Sequence, residues 1–167
     1  MVFVSTVDGW IEGAGLQARC ALGKGGVKPA AEKREGDGAS PIGVWPIRRV
    51  LYRPDRLARP ETALPVEPIK PEDGWCDAAG DPAYNCPVTL PYPASAERLW
   101  REDHVYDVVV VLGHNDDPVV DGMGSAIFWH CAQPDYRPTE GCVALARDHL
   151  LAMLARARPG DAVEIRG

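Results

Sequence analysis

Residues 124–145 read GSAIFWHCAQPDYRPTEGCVAL, and the fold turns on how this stretch is divided. Ala126-Ile127-Phe128-Trp129 is a short apolar and aromatic run, the pattern of a buried strand, and it ends on His130. Pro134, Asp135, Pro138, Thr139 and Gly141 are turn formers, so the strand stops before them and a loop returns toward Cys142. The alanine-rich pattern resuming at Val143 predicts that Cys142 sits where this loop enters a helix. A thiol at a helix start, near an imidazolium, is favoured as the nucleophilic thiolate, with alkylation expected below the reference value of about 8.5. Gly141 can adopt backbone angles closed to other residues, so the N–H groups of Gly141 and Cys142 are expected to converge on an oxyanion. Nucleophile, base and oxyanion hole are the parts that acyl transfer needs. A buried thiol and an unremarkable histidine are the competing reading of the same residues.

These residues resemble the L,D-transpeptidase (YkuD-type) family. Its signature is a histidine closing a strand, a short loop, then [Ser/Thr]-x-Gly-Cys-[Val/Ile], matched here by His130 and by Thr139-Glu140-Gly141-Cys142-Val143. A second match lies upstream. Gly36-Asp37-Gly38-Ala39-Ser40-Pro41-Ile42-Gly43 resembles the family's Gly-Asp-x-x-[Ser/Thr]-Pro-x-Gly segment, and Leu22-Gly23-Lys24-Gly25-Gly26 its lead-in. The resemblance implies a cysteine-dependent enzyme that cross-links peptidoglycan peptide stems through a Cys142 thioester, with His130 as base. Gly141 and Thr139 complete the catalytic set, Thr139 as the residue that holds the loop. Trp75-Cys76-Asp77 and Tyr84-Asn85 resemble elements of a divergent branch, which implies that Asp77, Tyr84 and Asn85 line the substrate cleft; the competing reading is loop aromatics anchored to the core, with Asp and Asn satisfying turns. Trp129, next to His130 on the same strand, is also expected to contact substrate. Many members carry arginine two places after the cysteine and histidine two before it; here Ala144 and Glu140 stand there. Arg137 or Arg147 is then the candidate cation, Arg137 being the one assigned to substrate binding.

At 167 residues the chain is read as one catalytic domain, residues 1–167, with enough length to bury a core without staples. A net charge of -6 and no Lys/Arg cluster argue against nucleic acid or an anionic membrane surface as partner. Sixteen prolines and seventeen glycines favour many turns, hence a mainly β fold (α+β) with a few short helices. With the resemblance, the expected form is β-sandwich-like with long proline-rich loops. A monomer is expected, and no cofactor. His130, Cys131, Cys142 and His114 lack any Cys-x2-Cys or His-x3-His spacing, which argues against a metal site. Met1–Val7 has neither the basic opening nor the long apolar core of a secretory signal, and no membrane span is apparent. The resemblance nonetheless implies work in the periplasm or cell wall. Of five cysteines, Cys76 and Cys86 are the pair to test in an oxidising compartment.

Along the chain, Val2–Val7 reads as a first strand with Leu16–Leu22 as its partner. Ile42–Tyr52 is a strand whose Pro46 predicts an edge or a bulge. Arg53–Pro93 holds nine prolines and reads as a long loop over the sheet. Ser95–Arg101 is expected as a short helix capped by Ser95, turning Glu97, Arg98 and Trp100 to the cleft. Tyr106–Leu112, with four consecutive valines, is apolar on both faces and so a central strand. Arg147–Ala157 places Leu150, Leu151 and Leu154 on one helical face, and Ala162–Arg166 alternates as a closing strand. Transfer to water would make the same site a carboxypeptidase or amidase, and loss of reactivity would leave a wall-binding module.

Overall fold

The valine run Val108–Val111 is the centre from which the architecture follows. In the computed structural model, which describes residues 1–167, every residue of the strand Val108–Leu112 is buried. Val108, Val110 and Leu112 face an inner core with Phe3, Ile11 and Trp129. Val109 and Val111 face an outer cluster with Leu51, Trp75, Phe128 and Cys142. A strand apolar on both faces is stable only between two layers, and this one lies there.

The strands in chain order are β1 (Val2–Thr6), β2 (Trp10–Gly13), β3 (Leu16–Ala21), β4 (Val27–Pro29), β5 (Ser40–Tyr52), β6 (Val66–Pro68), β7 (Asp73–Cys76), β8 (Pro87–Thr89), β9 (Ala96–Arg98), β10 (Val108–Leu112), β11 (Phe128–Cys131), β12 (Val143–Leu145) and β13 (Ala162–Arg166). One helix, α1 (Arg147–Leu154), precedes β13. The main sheet runs β10-β11-β12-β3-β2-β1-β13-β5, and β5 also pairs β10, so the sheet closes on itself. The result is a mainly β, sandwich-like barrel, with Leu150, Met153 and Leu154 of α1 packed into its inner core. A three-stranded sheet, β8-β7-β9, covers the outer face of β10 and β11, where Trp75 meets Phe128 edge-on at 5.0 Å.

Pro46 marks the point of closure. Far from being an edge strand, β5 is a long central one that pairs β13 through Gly43–Pro46 and β10 through Ile47–Tyr52. Proline has no N–H to give a ladder. It falls where β5 changes partners, and its carbonyl accepts from Gly113 N–H at 2.8 Å. The register shift at Val111/Leu112 is the bulge that the proline foreshadowed.

Other expectations are corrected by tertiary pairing. Ser95–Arg101 contains β9 rather than a helix, because Ala96, Glu97 and Arg98 find partners opposite Cys76, Trp75 and Gly74. Ser95 therefore caps nothing, and its Oγ donates to Asp77 instead. The span Arg53–Pro93 contains β6, β7 and β8 in place of a plain loop. β3 pairs β2 and β12, not β1, since Trp10–Gly13 forms the intervening strand. Cys142 leads into β12, not a helix, so no helix dipole acts on its sulfur. α1 ends at Leu154, before Ala157, and Leu151 is only half-buried. All five cysteines are free thiols, although Cys76 N–H donates to Cys86 O at 2.9 Å.

Candidate active site

Strand periodicity and the pairing of β11 with β12 build the site. Successive side chains of β11 alternate, so Trp129 and Cys131 enter the inner core while Phe128 and His130 point outward. β12 lies parallel to β11 with Trp129 beside Val143 and His130 beside Ala144. Val143 and Leu145 then face the inner core, and Cys142 and Ala144 share the outward face with His130. Cys142, immediately before β12, and His130, on β11 beside Ala144, both line one cavity of about 560 Å³. That volume suits a small molecule or a short peptide segment.

The histidine is oriented by backbone. Its Nδ1 lies 2.9 Å from Cys131 O, and since a carbonyl only accepts, Nδ1 carries the proton and Nε2 holds the lone pair. Tyr106 stands edge-on to the imidazole at 5.3 Å. On the other strand Cys142 Sγ donates to Ala126 O at 3.2 Å and accepts from Phe128 N–H at 3.3 Å. No hydrogen bond joins Sγ to the imidazole.

Protonation differs from the expected ion pair. Burial pushes the Cys142 thiol up to about 12, opposed only weakly by the Phe128 N–H. Burial likewise pushes His130 down to about 4, against the bond to Cys131 O. The resting pair is thiol and neutral imidazole. A labelling midpoint below the reference thiol value is therefore not expected here.

The loop before Cys142 is tied by Thr139, whose Oγ1 donates to Cys142 O at 2.8 Å and accepts from Gly141 N–H at 3.1 Å. This corrects the expected oxyanion hole, because the Gly141 N–H is already engaged. The Cys142 N–H donates to no carbonyl or side chain. Gly141 has φ +134 and presses against Ala39, bringing the Gly-Asp-Gly-Ala-Ser-Pro segment to the site. Burial would raise the Asp37 carboxyl, but hydrogen bonds from Lys33, Ala39 N–H and Arg34 N–H hold it well below the carboxylate range. Its lead-in, Gly23, lies so close to Gly38 O that a Cβ would sit 2.2 Å away, and Gly23 N–H donates to Ser40 Oγ. The two glycine-rich segments are thus one packed unit.

Of the residues expected to contact substrate, Asp77 and Arg137 line the cavity. Trp129 does not; it is fully buried on the opposite face of β11. Tyr84 and Asn85 are buried framework. Tyr84 OH donates to Glu35 at 2.7 Å and accepts from Gly124 N–H. Asn85, with φ +56, accepts from Trp75 Nε1 and Ala126 N–H and donates to the carbonyls of His114 and Asn115. They stand behind the wall that holds Ala126, against Sγ. Glu97 reaches the cavity, whereas Arg98 and Trp100 do not. Arg147 turns away to Asp107. Sequence reasoning missed Lys33, Glu35, Arg101 and Tyr106 on the cavity wall. Tyr106, two residues ahead of the valine run, was the one with a local signal, being an aromatic at the mouth of a central strand.

Charge in the cavity is unevenly compensated. Lys33, Arg101 and Arg137 are paired to Asp37, Asp103 and Asp135. Glu35, Asp77 and Glu97 accept only from the hydroxyls of Tyr84 and Ser125, Ser95, and Tyr106. No group of His, Cys, Asp and Glu is arranged to hold a metal ion.

A thiol and an imidazole thus line one cavity wall, each hydrogen-bonded to backbone. The L,D-transpeptidase catalytic domain, YkuD, matches residues 6–165, and the chain belongs to that family. Among solved structures, L,D-transpeptidase 1 of Mycobacterium tuberculosis is similar at a TM-score of 0.44 and 12% identity, over 99% of this chain. This chain spans 58% of that protein's length. No curated protein matches the chain.

Buried neutral histidines make stability depend on pH. His114, packed edge-on against Trp45 and outside the cavity, is pushed by burial to about 4, as is His130. The unfolded chain takes up these protons near 6.5 and the folded one only near 4. Their contribution is complete above pH 6.5 and is lost as pH falls through 4, about 3 kcal/mol for each ring. Urea unfolding at pH 7 and pH 4 will show a loss of several kcal/mol, and His114→Leu will remove about half of that difference. An equal loss in the variant would mean that His114 titrates normally.

Proposed function

We propose that residues 1–167 act as a single, monomeric catalytic domain that cross-links peptidoglycan peptide stems by way of a thioester on Cys142. The carrying observation is the common cavity of Cys142 and His130, with the imidazole Nε2 free to accept a proton. As Sγ attacks the carbonyl carbon after a diaminoacid residue of a stem, its proton passes to Nε2. The carbonyl oxygen becomes an oxyanion that the Cys142 N–H meets. The C–N bond breaks, His130 returns the proton to the departing amine of the terminal D-residue, and the thioester remains. An acceptor amine then attacks, His130 takes its proton, and the C–S bond breaks to restore the thiol.

Arg137 and Asp77 serve substrate binding from the cavity wall, and Thr139 with Gly141 holds the nucleophile's loop. Ala144 leaves the space beside His130 without a cation, so Lys33, Arg101 and Arg137 are the positive groups available. Glu35 and Asp77, carboxylates with only hydroxyl partners, favour an amine over water as acceptor, since an ammonium approaching them gains charge compensation. No helix of the chain is long and apolar enough to cross a membrane. The proposed place of work is the cell wall, outside the cytoplasmic membrane.

Incubation with purified muropeptides, followed by mass analysis, tests this reading. New cross-linked dimers are the expected product. Trimmed monomers would make the enzyme a carboxypeptidase or amidase, and unchanged muropeptides would leave a binding module.

A further inference from the structure

Between β9 and β10 the chain from Leu99 to Asp107 forms no strand or helix, yet it supplies the wall beside the imidazole. Val105 O accepts from Cys131 N–H at 3.0 Å, and Tyr106 stands against His130. Guanidinium groups from the turn after β5 hold this segment where a ladder would otherwise do so. Arg53 Nη1 donates to Arg101 O, Arg56 Nη2 to Glu102 O and Arg56 Nη1 to Asp103 O, at 2.5, 2.8 and 2.5 Å. Arg53 is itself fixed by paired bonds to Asp55 and by stacking over Trp100 at 3.8 Å.

The segment ends on Asp107, whose exposure is 1%. Its Oδ1 accepts from Arg56 Nη1 at 2.7 Å, and its Oδ2 accepts from His104 Nδ1 at 2.9 Å and Arg147 Nη1 at 3.2 Å. These partners come from separate places: the turn after β5, the segment itself, and the first residue of α1. α1 continues the chain from Cys142 through β12. One buried carboxylate thus ties the wall of His130 to the start of the helix that follows Cys142 and β12 in the chain.

We propose that Asp107 is a positioning residue that fixes the imidazole of His130 relative to the sulfur of Cys142, acting through Arg56 and Arg147. The proposal rests on the acyl-transfer reading above. Asp107 lines instead a separate cavity of about 420 Å³, behind Cys131, and is absent from the wall of the cavity that Cys142 and His130 share. Its effect is on chemistry more than on binding, because proton transfer from Sγ to Nε2 depends steeply on their separation.

The test uses Asp107→Asn, Arg147→Gln, Arg147→Lys and, as a control, Asp161→Asn. Asp161 is another buried carboxylate, paired with the N-terminal ammonium at 2.6 Å, away from the cavity. Asp107→Asn is expected to lower kcat for muropeptide cross-linking by about tenfold to a hundredfold, with KM within about twofold. Arg147→Gln lies between it and the parent, and Arg147→Lys, which restores a cation to Asp107, returns most of the rate. Asp161→Asn lowers thermal stability without changing kcat. In parallel, alkylation of Cys142 by neutral iodoacetamide, which needs His130 but no substrate, falls with kcat. Should the parent fail to cross-link muropeptides, the function is refuted, and the alkylation rates still judge the positioning claim. That claim is overturned if Asp107→Asn loses stability as Asp161→Asn does while its kcat and alkylation rate stay within about twofold of the parent. If Asp107→Asn does not fold, the half-exposed Arg147→Gln and its lysine counterpart decide the matter by the same readings.

Discussion

Cys142→Ala will leave the fold intact and eliminate acyl transfer. The sulfur gives up one donated bond to Ala126 O and one accepted bond from Phe128 N–H, so the stability cost is about 2 kcal/mol. Its neighbours Val143 and Phe128 stay packed in the two cores. The chemical cost is far larger, because the nearby hydroxyls of Ser125 and Thr139 are bonded to Glu35 and to Cys142 O, and His130 has no thiol proton to take. A fall of roughly 10⁴-fold or more in cross-linking is expected, the scale seen when a nucleophile is removed. Intact-protein mass analysis after brief exposure to muropeptides will show an acyl adduct on the parent and none on the variant. An adduct or cross-linked product that persists in Cys142→Ala would assign the chemistry to another residue.

Gly141→Ala will damage both stability and rate. At φ +134 a side chain is disfavoured on any neighbour's account, and here the new Cβ would lie 2.8 Å from Ala39 O and 3.3 Å from Ile127 Cδ1. Ala39 cannot retreat, since its N–H is held by Asp37 and the next residue, Ser40, is buried and bonded to Gly23. The loop of Cys142 must move instead, breaking the Thr139 ties. Expected losses are about 3 kcal/mol in urea unfolding and about a hundredfold in kcat. Gly160→Ala is the comparison, because φ +93 is similarly strained but nothing lies within 4 Å of its Cβ. It should lose about 1 kcal/mol and no activity. Equal effects in the two variants would mean that contact with Ala39 is irrelevant to the site.

Elements written in local pattern were legible from residues alone. The valine run, the alternation of Ala162–Arg166 and the helical spacing of Leu150 and Leu154 each correspond to an element. β9 was not legible: Ala-Glu-Arg is helix-prone, and only its pairing with Trp75 and its neighbours makes it a strand. Tyr84 and Asn85 drew attention as an aromatic and a polar group side by side. That pattern is the same whether the groups face a ligand or, as here, the backbone of Gly124 and Ala126.

The order of chemistry-bearing residues, the alternation that separates Trp129 from His130, and the break at Pro46 were all set by the chain itself, because each follows from steric rules spanning a few bonds. Which face of β11 meets the core, the closure of the sheet through β5, and the protonation of Cys142 and His130 were decided by the folded molecule. The physical reason is that burial depends on what distant segments bring. A strand has two equivalent faces until one is covered, and a thiol has its ordinary acidity until water is taken from it.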